Sequence, residues 1–253
     1  MKSKNIKFKS SQGHMLSARM DLPDSGECRT AVLFAHCFIC SKNLNAIGHI
    51  SRALTDRDVG VFRFDFTGLG QSEGDFSDSM FSTDIDDLVA AAAFMEEEWK
   101  APAILMGHSL GGAAVLQAAG RIGSVKAVAT IGSPCNPQNV QRHMSEKIDE
   151  IEEKGEATVT LAGRPFKIKK QFLDDLREQV MDDIIRNLGK ALLIFHSPVD
   201  KTVGIDNAAH IYKLARHPKS FVSLDDADHL LTDDKDAAYV GNVTAVWAER
   251  YFV

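Results

Sequence analysis

Short, continuous apolar runs alternate along this chain with segments in which apolar residues recur every three or four positions. TAVLFAHCF (30–38), VGVFRFDF (59–66), APAILMGHS (101–109), KAVATIG (126–132) and ALLIFHS (191–197) read as strands buried on both faces. Residues 5–10 and 14–22 read as a strand pair turning at Gln12-Gly13, and KSFVSLDDA (219–227) as the last strand. Between them the spacing predicts helices over 43–57, 83–98, 110–122, 205–216 and 235–251. The inward faces expected for the last two are Ile205, Ala208, Ala209 and Tyr212, then Tyr239, Val243, Val246 and Trp247. Buried strands separated by helices predict an α/β domain: a mostly parallel sheet covered by helices on both faces.

One segment breaks this rhythm. Residues 137–188 carry two charged amphipathic helices, one through Val140, Met144, Ile148 and Ile151, the other through Phe172, Leu176, Val180 and Ile184. A small hairpin over 157–168, turning at Gly163, is expected between them. The reading is a single domain over 1–253 with a cap insertion at about 137–188, because insertions in such sheets build the binding end. The plainer alternative is a helical excursion away from any site.

Length and composition narrow the classes. The 253 residues, 44% of them hydrophobic, suffice for one large core. A net charge of −6 argues against a nucleic-acid partner. The lysine-bearing start, MKSKNIKFKSSQG, leads into no apolar stretch, so no signal peptide is read. The longest apolar stretches, such as LVAAAAFM (88–95), are too short to span a bilayer, and a cytoplasmic protein without membrane contact is expected. Four cysteines imply no disulfide framework.

The chemistry concentrates at AILMGHSLGG (103–112), where Ser109 is flanked by Gly107 and Gly111 in the pattern G-x-S-x-G. After an apolar strand and before a helix, this is the signature of a nucleophile elbow: a tight, strained turn that lifts a hydroxyl above the sheet and aims a helix N-terminus at developing negative charge. The alternative is an N-cap serine on a glycine-rich helix start. Serine needs a base, and His229 in DDADHLL follows the last strand, where the base belongs. His196, His210 and His217 are the competitors; His143 reads as an exposed histidine of the insertion. Asp200, on the loop after ALLIFHS, is the expected acid, ahead of Asp206, Asp225, Asp226 and Asp228. The oxyanion is expected at the backbone N–H groups of Leu110 and Phe38, an assignment from position alone.

Three further features weigh less. Gly68-Leu69-Gly70-Gln71-Ser72-Glu73-Gly74 lacks the Lys-Ser/Thr of a phosphate loop and reads as a tight structural loop beside the site. Arg164, Lys167, Lys169 and Lys170 form a basic cluster whose default reading is a solvated face, with a contact to an acidic substrate as the alternative. Cys37 and Cys40 form C-x-x-C. That spacing permits a disulfide, whose closure is expected to tilt Phe38 N–H away from the oxyanion; the plainer reading is two small packing residues.

Taken together, AHCF, FDFTGLGQSEG, GHSLGG, SPVDKTV and DADHLL occur in the order found in the α/β-hydrolase superfamily, and the chain resembles that superfamily over nearly its whole length. AHCFICSKN, SLGGAAVLQAA, LAGRPFKIKKQFLDDL and HPKSFVSLDDADHLL look like the hydrolase half of fused hydrolase–OsmC proteins. The chain stops at Val253, so the peroxide-reducing half of such fusions is not expected here. Cys37 stands where the superfamily loop carries glycine. The resemblance implies the α/β-hydrolase fold and a serine hydrolase of carboxylesterase or thioesterase type. It would act on a small-molecule ester or thioester through Ser109, His229 and Asp200, with no cofactor and no metal. Phe166 and Phe172 are the cap candidates for substrate binding. An acyltransferase on the same triad, or a silent binding module on the fold, are the alternatives.

Overall fold

The computed structural model describes residues 1–251. The main sheet has eight strands: β1 (Lys2–Lys9), β2 (Met15–Leu22), β3 (Thr30–Ala35), β4 (Val59–Phe64), β5 (Ile104–His108), β6 (Ala127–Ile131), β9 (Ala191–His196) and β10 (Lys219–Ser223). Their spatial order is β1-β2-β4-β3-β5-β6-β9-β10. β1 pairs antiparallel with β2, and β2 with β4. From β4 to β10 every pairing is parallel. β3, β4, β5, β6 and β9 are buried at every position, which is why their sequences read as unbroken apolar runs. At the edge, β1 (KSKNIKFK) buries little besides Phe8 and presents lysines outward, which blunts an otherwise pairable edge.

Two cores follow. One face of the sheet packs on α1 (Asn45–Thr55) and α8 (Asp234–Ala248), through residues such as Ile47, Ile50, Leu54 and Val240. The other packs on α2 (Phe81–Glu98), α3 (Leu110–Ala118) and α7 (Asp206–Leu214), through Ile85, Leu88, Leu116 and Ile211.

The inward faces of the last two helices differ from the sequence reading. In α8 the buried positions are Ala237, Val240, Gly241, Thr244, Ala245 and Ala248, while Tyr239 is 49% and Val246 52% exposed. Close approach to α1 decides this. A Cβ on Gly241 would lie 2.7 Å from Ala53 Cβ and from Ile50 O, so small residues with Val240 form the contact stripe, while the expected Val243 and Trp247 pack half-buried against the same core. In α7 the buried pair is Ala208 and Ile211, with Tyr212 exposed.

The insertion is a 3₁₀ run over Pro137–Lys147, α4 (Ile148–Lys154), a hairpin of β7 (Glu156–Leu161) and β8 (Arg164–Lys169), α5 (Lys170–Glu178) and α6 (Met181–Arg186). The two continuous helices expected from periodicity are each interrupted. The first breaks at Met144 (φ −128°, ψ 16°). The second breaks at Gln179, whose side chain is tied to α3 by Gln117 Nε2–H at 2.9 Å, leaving Val180 62% exposed. The hairpin turn uses Ala162 and Gly163 at φ 48° and 74°, the paired positive values of a type I′ turn. Val159, Leu161, Phe172, Leu173, Leu176 and Ile185 join the core beside α2 and α3.

The chain order reverses at β3, which leads through α1 to β4 on one side and returns through α2 to β5 on the other. The loops after β3 and β5 therefore lie side by side at the carboxyl edge of the sheet, where open α/β sheets form a crevice. Among the described residues no helix is long and apolar enough to cross a membrane.

Candidate active site

Ser109 joins β5 to α3 at φ 54° and ψ −125°, a conformation a side-chain-bearing residue adopts only under constraint. Its N–H donates to Ile131 O at 2.8 Å, which fastens the turn to β6. The glycines around it are required by contact. A Cβ on Gly107 would lie 2.2 Å from Gly111 O, one on Gly111 2.4 Å from His36 O, and one on Gly112 2.6 Å from Ser133 Cβ.

The structure brings Ser109, His229 and Asp200 together from three strand ends. His229 Nε2 lies 3.0 Å from Ser109 Oγ, and its Nδ1 lies 2.7 Å from Asp200 Oδ2. The carboxylate can only accept, so Nδ1 carries the proton and Nε2 is left to accept from the serine hydroxyl. Asp200 Oδ1 accepts from the N–H groups of Thr202 (2.8 Å) and Val203 (2.9 Å). Burial alone would raise this carboxyl. The bonds from His229 and from these two amides outweigh it and hold the group below its ordinary value, ionised and oriented.

The competitors lie elsewhere. His196 is buried and donates from Nε2 to Val203 O at 2.7 Å, shaping the Asp200 loop from behind. His210 pairs with Asp182 at 2.8 Å. Asp206, Asp225 and Asp226 are exposed, and Asp228 caps Thr232.

Two residues not singled out by sequence support the relay. Gly132 (φ 53°) leaves room for it, since a Cβ there would lie 3.3 Å from both Asp200 Oδ2 and His229 Nδ1. His108, inside the G-x-S-x-G pentapeptide, donates from Nε2 to His229 O at 2.7 Å. Burial holds His108 at a pKa of about 3, so it remains a neutral donor.

On the loop after β3, Cys37 O accepts from His36 Nδ1–H at 2.8 Å and from Cys40 N–H at 3.1 Å. A peptide's C=O and N–H point in opposite directions, so these two bonds turn Phe38 N–H the other way. Among the described residues neither Phe38 N–H nor Leu110 N–H donates to a protein acceptor. Cys37 and Cys40 form a disulfide, with Cα atoms 5.3 Å apart, and Ile39 between them sits at φ 59°.

A cavity of about 830 Å³ opens over Ser109, His229, Phe38 and Leu110. Residues of the insertion, among them Val140, Leu161 and Phe166, line one wall of it. Phe166 lines the cavity, whereas Phe172 is buried beneath the loop after β3, stacked on Phe38 at 5.6 Å. His143 also reaches the cavity; burial, then the proximity of His229, lowers its pKa. Gly68 and Gly70 border the cavity from the glycine loop. That loop is clamped by Asp65, which accepts from Lys42 Nζ (2.5 Å) and Gln71 N–H (2.9 Å) and sits where a Cβ on Gly70 would go.

Residues 26–161, more than half of the chain, match the family described as serine aminopeptidase, S33. The chain belongs to that family of α/β hydrolases.

Solved structures agree with an S33-family hydrolase of this fold. The esterase domain of a Rhodothermus marinus protein is 49% identical, with a TM-score of 0.81 over 100% of both chains. Est1E from Butyrivibrio proteoclasticus, solved with ferulic acid bound, shares the fold at 19% identity and a TM-score of 0.78, covering 97% of this chain and 98% of its own. An uncharacterized protein of Salmonella typhi, YfhR, is 24% identical over 188 residues; the match covers 74% of this chain and 61% of YfhR. The chain thus spans about three-fifths of that relative's length.

Proposed function

We propose that this protein is a serine hydrolase of the carboxylesterase or thioesterase type, with Ser109 as nucleophile, His229 as general base and acid, and Asp200 as the orienting carboxylate. The observation that carries the proposal is the continuous relay from Ser109 Oγ through both ring nitrogens of His229 to Asp200, with bonds of 3.0 and 2.7 Å. Ser109 Oγ attacks the acyl carbon as His229 Nε2 takes the hydroxyl proton. Asp200 stabilises the imidazolium that forms, and the N–H groups of Phe38 and Leu110 receive the negative charge developing on the carbonyl oxygen. His229 then protonates the departing alcohol or thiol. Water, activated by the same imidazole, cleaves the acyl-enzyme and restores Ser109.

The 49% identical esterase domain supports an ester as the bond cleaved. The resemblance of AHCFICSKN and HPKSFVSLDDADHLL to the hydrolase half of hydrolase–OsmC fusions belongs to the same reading, as does a cytoplasmic site of action.

The test is Ser109→Ala together with a fluorophosphonate probe. Wild-type protein should gain one adduct, on Ser109, and the variant none, with ester turnover reduced on the order of 10⁴–10⁶-fold. Labelling at another residue, or undiminished turnover in the variant, overturns the assignment. Product analysis with an alcohol acceptor separates hydrolysis from acyl transfer.

A further inference from the structure

The insertion over residues 137–188 holds nine lysines and arginines. Seven are paired with carboxylates. Lys147 and Lys154 meet Glu150, Lys167 meets Glu156, Lys169 meets Asp78, Lys170 and Arg177 share Glu152 and Asp174, and Arg186 meets Asp182 and Asp183. The two without a carboxylate partner among the described residues are Arg142 and Arg164, and these are the two that line the cavity over Ser109. The basic cluster read from the sequence thus divides: its lysines form a solvated, self-neutralised face, and its arginine turns to the site.

The cavity lining contains no aspartate and no glutamate, in a chain whose acidic residues outnumber its basic ones by 35 to 29. Arg164 is already held in place. Its Nη2 donates to Ile39 O at 2.7 Å, and its guanidinium lies 5.3 Å from the centre of the Phe166 ring. That leaves other N–H donors of the planar fork for a ligand, and little side-chain freedom to lose on binding. Arg142, with His143 beside it, faces the same space from the 3₁₀ run. Cations left unpaired on the wall of an otherwise apolar and amide-lined cavity, while every neighbour on the same insertion is neutralised, form a site for a negative charge.

We propose that the substrate is an ester or thioester carrying an anionic group, a carboxylate or a phosphate, several bonds from the scissile carbonyl, and that Arg142 and Arg164 bind that anion. This rests on the assignment of Ser109 as nucleophile and names the substrate class for it.

The experiment compares matched neutral and anionic substrates. In the carboxylate arm, the mono-p-nitrophenyl ester of adipic acid is set against p-nitrophenyl hexanoate. In the phosphate arm, an acyl thioester whose thiol portion ends in a phosphate monoester is set against its dephosphorylated form. In at least one arm kcat/KM should favour the anion by about ten-fold at low ionic strength, with the preference shrinking as salt is added. The arm that shows it identifies the anion. Arg142→Gln and Arg164→Gln should each lower the anionic-to-neutral ratio about three- to ten-fold, and Arg142→Glu should bring it below one. Lys167→Gln, paired and away from the cavity, should leave the ratio unchanged.

A readout independent of turnover is the rate of fluorophosphonate labelling. Adipate should slow it in wild-type protein and less in Arg142→Gln, whereas 1,6-hexanediol should not slow it. A ratio at or below one in both arms, or one that the two arginine variants leave unmoved, overturns the proposal. Absence of both turnover and labelling overturns the serine assignment instead.

Discussion

His108 Nε2 donates to the carbonyl oxygen of His229 at 2.7 Å, joining the residue before the proposed nucleophile to the proposed base 121 positions later. His108 Nδ1 is buried without a partner among the described residues, so this one bond is the polar role of the ring. It holds the backbone of the His229 loop at a fixed height above the elbow. His108→Phe keeps a ring and removes the donor. We expect kcat to fall about 3–10-fold, the worth of one hydrogen bond, with KM nearly unchanged. His108→Gln should recover part of the loss. Equal changes in kcat and KM, or equal losses in both variants, would leave the ring a packing residue.

Asp200→Asn should cost far more than removal of any other carboxylate near His229. Asp200 alone meets Nδ1, and its second oxygen is fixed by two backbone amides. An amide there presents the wrong partner to Nδ1 and withdraws the charge that stabilises the imidazolium. The expected loss in kcat is on the order of 10⁴-fold, against less than about two-fold for the exposed Asp226→Asn. A larger effect at Asp226 would falsify the assignment of the acid.

The Cys37–Cys40 disulfide should sustain turnover. It holds Cys40 N–H on Cys37 O, and it helps keep β-branched Ile39 at φ 59°, a conformation costing roughly 1–2 kcal/mol. A dithiol reductant would pass two electrons and two protons to the two sulfurs, becoming a disulfide itself. The strain at Ile39 then relaxes, and the peptide bearing Phe38 N–H turns. We expect kcat on neutral esters to fall about ten-fold on reduction and to return on reoxidation, part of what one oxyanion donor supplies. This is the opposite sign to the one the C-x-x-C spacing alone suggests. Unchanged kcat after mass spectrometry confirms both thiols alkylated would show that the bond does not act on the site.

Asp87 should give stability a pH dependence. It is buried on α2 and accepts from Thr67 N–H at 2.8 Å. Burial raises its pKa to about 6 from an ordinary 3.8, the amide bond opposing only in part. Between those values the folded carboxyl keeps a proton that the unfolded one releases. Asp87's contribution to the free energy of unfolding therefore falls as pH rises from 3.8 to about 6 and levels off above that, apart from the contribution of Asp84, whose carboxyl is also raised, by burial and then by Asp87. The size is about 3 kcal/mol across the window, and it should disappear from Asp87→Asn. Denaturant titrations of both proteins at pH 4, 5, 6 and 7 measure the difference; parallel curves would mean the folded and unfolded carboxyls titrate alike.

Much of this protein is legible without its structure. Buried strands of a parallel sheet must be apolar on both faces, so β3, β4, β5, β6 and β9 announce themselves as unbroken runs. The elbow is legible because a Cβ on Gly107 or Gly111 would lie 2.2 or 2.4 Å from a backbone oxygen, which cannot give way as a flexible side chain can. Ser109, Asp200 and His229 could be nominated from their places after β5, β9 and β10, because chain order and strand order are linked in this kind of sheet. Facing in α8 was legible only at Val243 and Trp247, which pack on the core, because hydrophobicity names the large residues while close helix approach selects the small ones at Gly241, Thr244 and Ala245.

Three things were decided only by tertiary structure. His108 meets a carbonyl 121 residues away, and no local pattern encodes that pairing. Phe166 and Phe172 are equivalent as apolar positions in the sequence, yet Phe166, on β8, walls the cavity and Phe172, on α5, lies under the loop after β3 against Phe38. Among the described residues, Arg142 and Arg164 differ from the seven other cations of the insertion in lining the cavity and in having no carboxylate partner. Ion pairing is settled by distances across the fold, and the sequence alone contains no record of those distances.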